Sequence, residues 1–214
     1  MATGVEENAP PAAEQVDRAA LRRVAGGDVE AFAVLVERHQ ERLVRLCTRL
    51  LGDREEARDA AQEAFLKAFR AAGEYQPRGQ VYTWLYRIAV NHCLNRLRRR
   101  RVVRFLSLSG PTREEAAGDE AAPFDPAGDA AGPLDELVSR RRWQRARKAI
   151  EALPPGQRAV LVLARFEGLS YKQIAEVLAV SVGAVESRLV RAMRSLTAAI
   201  DDADGAPQAQ ETGG

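Results

Sequence analysis

The chain has little cysteine, few aromatic side chains and no long apolar run. Cys47 and Cys93 are the only cysteines among 214 residues, which is too few for a disulfide framework and suits a reducing compartment. No apolar stretch approaches the roughly 20 residues that a membrane-spanning helix needs. The acidic N-terminus MATGVEENAPP also lacks the apolar core of a secretion signal. We therefore expect a cytoplasmic protein that does not insert into a membrane.

Common catalytic and metal-binding motifs are missing as well. The sequence contains no HExxH, CxxC or glycine-rich phosphate loop. His39, His92, Cys47 and Cys93 could be ligands or catalytic groups. However, His92 and Cys93 are neighbours that point in different directions on a helix, and Cys47 falls on an apolar stripe. We expect no enzyme, no cofactor and no metal site, while a redox or metal role for Cys47, His92 or Cys93 stays open.

Charge is distributed unevenly along a nearly neutral chain. The formal net charge is only +2, which by itself favours no particular partner. Arginines are concentrated in 96–104 and 140–147, whereas acidic residues are concentrated in 114–136. The sequence therefore predicts basic surfaces that are separated by an acidic stretch.

Apolar periodicity predicts an all-α protein of two small helical domains joined by a flexible linker. A helical stripe runs from Asp28 to Leu51 and is closed by Gly52, and Asp53 can cap the next helix. We find no alternation long enough for a strand. The stretch 107–133 has hardly any large apolar side chains, as is typical of a linker. The predicted organisation is a disordered lead (1–19), a helical domain (20–104), a flexible acidic linker (105–136), a helix-turn-helix domain (137–200) and a disordered tail (201–214).

The segment LSYKQIAEVLAVSVGAVESRLVRAMRSL (169–196) is typical of a helix-turn-helix. Ser170 and Gln173 have the spacing of a capping box, and Ser181 can cap the second helix. Val182, Val185, Leu189, Ala192 and Leu196 would form the inner stripe of that helix. The outer face could lie in a DNA major groove, where arginines bond guanine edges; the alternative is an ordinary solvated hairpin. The residues predicted to read duplex DNA are Gly183, Ala184, Glu186, Ser187, Arg188, Val190 and Arg191.

The segment YTWLYRIAVNHCLNRLRRRR (82–101) combines aromatic, amide and basic side chains. Aromatic faces stack on unpaired bases, asparagine amides bond base edges and arginines hold phosphates. The alternative is core packing, which is the better interpretation for Leu85 and Ile88, while both roles remain open for Trp84. The residues predicted to bind strand-separated DNA are Tyr82, Thr83, Trp84, Arg87, Asn91 and Asn95.

A compact acidic and amide patch precedes this segment. Asp59, Gln62 and Glu63 are spaced i, i+3, i+4 and therefore share one helix face. Such a patch can dock a basic groove on a partner protein, although most patches of this kind are only solvated.

Together the modules resemble the extracytoplasmic-function class of bacterial sigma factors. The resemblance covers about 28–200 and is carried by LLGDREEARDAAQEAFLKAF (50–69), YTWLYRIAVN (82–91) and ALPPGQRAVLVLARFEGLSYKQIAEVLAVSVGAVESRL (152–189). It implies a subunit of RNA polymerase that recognises promoter DNA, opens it and performs no chemistry.

The resemblance also assigns roles to the predicted sites. Asp59, Gln62 and Glu63 would bind the clamp helices of core polymerase. The loop 74–83, with Trp84, Arg87 and Asn91, would open the minus-ten element and hold a flipped base. The outer face of 183–194 would read the minus-thirty-five element, and the acidic linker would pass through the RNA channel. An anti-sigma protein is a further expected partner.

The sequence departs from the family pattern at two positions, and one alternative function stays open. Ala184 stands where the family often has threonine, and Glu186 stands where a basic residue is common. The promoter sequence therefore cannot be transferred from a relative. The alternative is a helix-turn-helix regulator that acts without being a polymerase subunit; such proteins usually dimerise on two half-sites.

Overall fold

The computed structural model describes residues 11–75, 79–106 and 144–205. Within these ranges every regular element is helical, which confirms the all-α prediction. The helices are α1 (Pro11–Ala25), α2 (Phe32–Leu51), α3 (Arg54–Arg70), α4 (Val81–Leu106), α5 (helical over 144–152), α6 (Pro155–Arg165), α7 (Tyr171–Leu178) and α8 (Val182–Gly205), with 3-10 turns at Val29–Ala31 and Ala72–Glu74. Most of the predicted linker, 107–136, lies outside the described residues.

Helices α2, α3 and α4 pack into the N-terminal bundle. Helix α2 ends at Gly52, which adopts the left-handed conformation that glycine tolerates (φ 80°). Asp53 then caps α3 by accepting a hydrogen bond from the Glu56 amide at 2.8 Å, as the sequence predicts. The buried face of α3 consists mostly of alanine, so α2 and α4 can approach it closely; its members are Ala57, Ala60, Ala61, Ala64, Phe65 and Ala68.

Helix α1 corrects the prediction of a disordered lead over 1–19. Residues 11–19 are helical, and Glu14 and Asp17 are buried against the bundle. Asp17 accepts a hydrogen bond from Arg38 Nε at 2.7 Å and lies 2.8 Å from His39 Nε2. The prediction was wrong because much of what holds this segment is long-range polar pairing, which apolar periodicity does not reveal. Residues 1–10 lie outside the described part.

The C-terminal bundle contains the predicted helix-turn-helix. Ser170 and Gln173 form the reciprocal capping box at the start of α7, and Ser181 Oγ accepts from the Ala184 amide at 3.2 Å. Val185, Leu189 and Ala192 are buried, which confirms most of the inner stripe of α8. Val182 was assigned to that stripe but is exposed, because it occupies the first, outward-facing turn. Residues 201–205, predicted to be disordered, extend α8.

The two bundles lie against each other. Helix α6 packs on α2, and α7 packs on the start of α4. Their apolar side chains join a single cluster of buried residues. This packing determines which predicted site residues reach the surface.

Candidate nucleic-acid interface

The outer face of α8 is open and basic. Glu186, Ser187, Val190 and Arg191 are exposed, and Gly183 is exposed at the start of the helix. Arg191 turns back along its own helix, donating from Nε to the Ser187 carbonyl at 3.1 Å and from Nη2 to Ser187 Oγ at 3.3 Å. The structure therefore brings these predicted duplex-reading residues together on one accessible surface.

Ala184 and Arg188 lie at the edge of this surface and are half-buried. The guanidinium of Arg188 rests over the start of α6, 3.7 Å from where a Cβ on Gly156 would stand. Among the described residues, the contacts of Arg191 are with Ser187, and the Arg188 guanidinium lies beside the backbone of Gly156, so neither contact neutralises the arginine's charge. Their cationic groups are thus available to an anionic or base-edge ligand.

Four of the predicted single-strand residues share a stripe on α4. Trp84, Arg87, Asn91 and Asn95 follow one another at intervals of three or four, and all but the half-buried Trp84 are exposed. Asn95 Oδ1 accepts a hydrogen bond from Arg98 at 2.9 Å. Trp84 packs edge-on against Tyr75, with ring centroids 5.3 Å apart. Its position at the border of the core leaves it able both to pack and to present a face to a ligand.

Tyr82 and Thr83 do not belong to this stripe. Both are buried, and Tyr82 faces the C-terminal bundle instead of solvent. Its hydroxyl accepts a hydrogen bond from Gln173 Nε2 at 2.9 Å, and the Arg42 guanidinium lies 5.7 Å from its ring centroid. The first turn of α4 is covered by α7, and sequence spacing within α4 could not reveal this.

A polar brace from α1 holds the start of α4. Both carboxylate oxygens of Glu14 accept from the Val81 amide, at 3.2 and 3.1 Å. Arg18 pairs with Glu14 at 2.6 Å and donates to the Gly79 carbonyl at 3.1 Å. Tyr75 donates to the same carbonyl at 2.9 Å, and burial raises the pKa of its hydroxyl. The brace thus fixes both sides of the short loop whose residues 76–78 lie outside the described ranges.

The acidic and amide patch lies on the exposed side of α3. Asp59 and Gln62 are exposed and Glu63 is half-buried, as the shared helix face predicts. Glu63 lies 3.6 Å from Lys67, which in turn donates to His92 Nδ1 at 2.8 Å. Burial and the neighbouring Lys67 lower the pKa of His92. His92 therefore accepts a hydrogen bond here in its neutral form.

The histidines and cysteines that were candidates for metal binding or catalysis do not form a metal-binding group among the described residues. Over the described ranges no three His, Cys, Asp or Glu side chains are grouped closely enough to hold a metal ion. Cys47 and Cys93 are fully buried, and their mutual hydrogen bond together with burial raises the pKa of Cys47. A buried thiol of raised pKa is a poor nucleophile.

Sequence reasoning missed a buried carboxylate between the bundles. Glu167 Oε2 accepts from the Tyr86 hydroxyl at 2.6 Å and from Arg42 Nε at 3.3 Å, and its Oε1 accepts from Arg49 Nη1 at 2.9 Å. Burial and Glu167 raise the pKa of Tyr86. The one signal in the sequence was the single acidic residue within ARFEGLS (164–170), between Phe166 and Gly168.

Comparison with known proteins assigns both bundles. Residues 35–102 match Sigma-70 region 2, and residues 143–196 match Sigma-70, region 4. The chain is 38% identical to the RNA polymerase sigma-H factor of Pseudomonas aeruginosa over 87% of its own length and 95% of the relative's. It is 36% identical to the ECF RNA polymerase sigma-E factor of Haemophilus influenzae over 84% and 93% of the two chains.

A solved structure supports the same assignment. CnrH, solved in complex with the cytosolic domain of CnrY, is 27% identical with a TM-score of 0.60, covering 87% of this chain and 98% of CnrH. The described helices include none long and apolar enough to cross a membrane. With both regions matched in order and relatives covered almost end to end, the chain belongs to the extracytoplasmic-function class of the sigma-70 family of RNA polymerase sigma factors.

Proposed function

We propose that this chain is the promoter-recognition subunit of a bacterial RNA polymerase, which binds the core enzyme, recognises promoter DNA and promotes strand opening. The observation that carries the proposal is the pairing of regions 2 and 4 in one chain, each with a surface suited to a different form of DNA. The subunit itself performs no chemistry, and nucleotide addition belongs to the polymerase.

The outer face of α8 would read the minus-thirty-five element as a duplex. Arg191 and Ser187 already face the same way, and their mutual contacts are exposed. These exposed hydrogen bonds can be replaced by hydrogen bonds to DNA at little cost, because water can satisfy the polar groups while the partners change. The arginine fork fits guanine O6 and N7. Glu186 repels phosphate and accepts from cytosine, so it would shift the preferred sequence away from that of relatives with a basic residue there.

The stripe on α4 would bind the minus-ten element after its strands part. Trp84 offers an aromatic face, Arg87 a cation for phosphate, and Asn91 and Asn95 amides for base edges. The preceding loop would receive a base flipped out of the stack. The Glu14 brace supports this role, since it fixes the backbone from which Trp84 projects.

The patch of Asp59, Gln62 and Glu63 would dock on the clamp helices of core polymerase. Exposed charges at an interface direct encounter and orientation more than they add affinity. Lys67 and His92 beside Glu63 would help define the edge of the patch.

The proposal also implies a cellular compartment and a further protein partner. Because the polymerase works in the cytoplasm, we expect this chain to act there. We also expect an anti-sigma protein, in keeping with the protein partner seen on CnrH. No cofactor is needed for any of these roles.

A helix-turn-helix regulator independent of polymerase is the second candidate. It would leave the region 2 match and the α4 stripe without a use, and the comparisons do not favour it. Tight dimeric binding to a palindrome in the absence of polymerase would favour it instead.

Transcription with reconstituted polymerase tests the proposal. Core polymerase, with and without the full chain, is incubated with a library of promoter fragments, and run-off products are sequenced. We expect products from a defined subset of fragments only when the chain is present. The absence of any promoter-dependent product would refute the proposal.

A further inference from the structure

Lysine is rare in this chain, which contains only Lys67, Lys148 and Lys172. We propose that Lys67 is a covalent modification site, which takes the acyl group of an acyl phosphate while His92 accepts the proton. The chain is the acceptor of the group and reacts once, so no enzymatic turnover is involved. The chemistry at Lys67 does not depend on the proposed function, whereas its effect on polymerase binding rests on it.

Lys67 and His92 face each other between α3 and α4. The Lys67 ammonium donates to His92 Nδ1 at 2.8 Å, so this ring nitrogen presents a lone pair to the amine. The Lys67 side chain is 45% exposed, and a small acyl donor can therefore reach it. The other histidine, His39, lies 2.8 Å from Asp17 instead. Within the described ranges, Lys67 is thus the lysine that has a histidine as its hydrogen-bond partner.

Acyl transfer needs an unprotonated amine and an acceptor for the proton that leaves. In its unprotonated form, Lys67 Nζ attacks the carbonyl carbon of the acyl phosphate. The new C–N bond forms, and the C–O bond to the phosphate group breaks. The proton that the nitrogen sheds passes to His92 Nδ1 and from there, through water, to the released phosphate. The products are an amide on Lys67 and inorganic phosphate, with no change of oxidation state.

The charged groups around His92 suit both roles, proton acceptance and attraction of an anionic donor. Burial and Lys67 lower the pKa of His92, Arg96 and Arg99 lower it further, and Glu63 opposes them. His92 is therefore neutral at about pH 7, and able to accept a proton. Arg99 is exposed two helical turns along α4 from His92. Its guanidinium group can attract the phosphate of the donor.

Acylation of Lys67 changes the charge beside the patch that would dock on core polymerase. Lys67 Nζ lies 3.6 Å from a Glu63 carboxylate oxygen, one helical turn along α3. An acylated lysine carries no positive charge, so the patch of Asp59, Gln62 and Glu63 becomes more acidic. A more acidic patch attracts a basic groove more strongly, mainly through faster association. We therefore expect acylation to speed docking.

Peptide mass spectrometry of the full chain treated with acetyl phosphate tests the site. All lysines are measured in one sample, so the exposed Lys148 and Lys172 are internal controls. We expect Lys67 to be acetylated about tenfold faster than either control. This is less than the ~100-fold that a fully positioned base contributes, because the site is half-exposed. In H92N, which keeps an acceptor atom but has no basic nitrogen, the excess rate should disappear.

The wild-type protein supplies a second measurement, which does not depend on the folding of H92N. The ratio of the acetylation rates of Lys67 and Lys172 should be constant above about pH 6.5, the ordinary pKa of histidine. Below that pH the ratio should fall as His92 takes up a proton. Equal rates at all lysines, an excess rate that persists in folded H92N, or a ratio that stays constant from pH 8 to 5.5 would each overturn the site.

Association of the full chain with core polymerase tests the effect on docking. The chain is treated with acetyl phosphate, the reagent is removed, and the association rate constant is compared with that of the untreated chain. We expect a rise of about two- to fivefold, the size of one exposed charge's contribution. K67R, which keeps the charge and cannot form acetyl-lysine, should show no change on treatment.

The outcomes separate the site from the proposed function. An unchanged association rate for chain acetylated at Lys67 would overturn the effect on docking. An equal rise in treated K67R would overturn it as well, because the rise would then come from another residue. If the untreated chain does not associate with core polymerase at all, the proposed function is refuted, and mass spectrometry still decides the modification site.

Discussion

The Tyr86 hydroxyl donates to Glu167 across 2.6 Å, although the two residues lie 81 positions apart in the chain. Tyr86 belongs to region 2 and Glu167 to region 4. Both are buried, so this hydrogen bond exists only because the two bundles pack together.

Replacing Tyr86 with phenylalanine should lower the free energy of unfolding. The substitution keeps the ring but leaves Glu167 with one donor fewer, and a hydrogen bond to a charged buried group contributes about 1.5–3 kcal/mol. Urea unfolding followed by circular dichroism measures the change. Y171F, at an exposed tyrosine of α7, should unfold as the wild type does. Equal stability of Y86F and wild type would contradict the assigned hydrogen bond.

Replacing Glu14 with alanine should destabilise the protein and impair promoter opening together. The buried Val81 amide would lose its acceptor, at a cost of about 1–3 kcal/mol, and the loop before Trp84 would lose its brace. Urea unfolding and run-off transcription measure the two effects. Q15A, one position along α1 and exposed, should change neither. Full opening activity in a destabilised E14A would show that Glu14 supports only the fold.

Replacing Trp84 with alanine should slow strand opening more than it weakens closed binding. The variant loses an aromatic face, and stacking on one base contributes about 1–3 kcal/mol. Permanganate reactivity of the minus-ten thymines measures opening, and a template with the minus-ten region already unpaired should restore transcription. If the unpaired template gives no rescue, Trp84 acts in the core alone.

Replacing Arg188 or Arg191 with alanine should reduce use of a matched promoter. Each lost bidentate contact with a base costs about 1–3 kcal/mol of discrimination. The ratio of run-off product from a matched and a mutated minus-thirty-five element should therefore fall about 5- to 150-fold. R45A, which replaces an exposed arginine of α2, is the control and should keep the wild-type ratio. An unaltered ratio in both test variants would refute the assigned readout.

His92 should make the fold less stable as the pH falls. Because burial and Lys67 lower the pKa of His92 in the folded state, the unfolded chain takes up the proton first, at its ordinary pKa of about 6.5. Protonation therefore favours unfolding, and the contribution of His92 is present above about pH 6.5 and lost as the pH falls to its lowered folded pKa. Urea unfolding of wild type and H92N between pH 7.5 and 5.5 measures this, with His39 common to both. As the pH falls, the free energy of unfolding of the wild type should decrease relative to that of H92N. A difference in unfolding free energy that stays constant across this pH range would contradict the lowered pKa of His92.

Structural features that depend on residues close together in the sequence could be predicted. The caps at Asp53, Ser170 and Ser181 depend on residues within three positions, and the structure contains all of them. The α4 stripe from Trp84 to Asn95 likewise follows from helical spacing.

Features set by long-range polar contacts could not be predicted. Glu14 bonds an amide 67 positions away, and Glu167 accepts from Arg42, 125 positions away. Neither residue lies on a periodic apolar pattern, so nothing local indicated that residues 11–19 are ordered or that Tyr82 is covered. The first contact depends on how α1 packs on the start of α4 and the second on how the two bundles meet, and composition and spacing encode neither.

Footprinting of one promoter by the reconstituted holoenzyme tests whether a single chain reads one promoter element as duplex and the other as separated strands. We expect protection of the minus-thirty-five element, lost in R188A/R191A, and permanganate-reactive thymines at the minus-ten element, lost in W84A, on the same DNA molecule. Protection and opening that persist unchanged in both variants, or that appear with core polymerase alone, would contradict it.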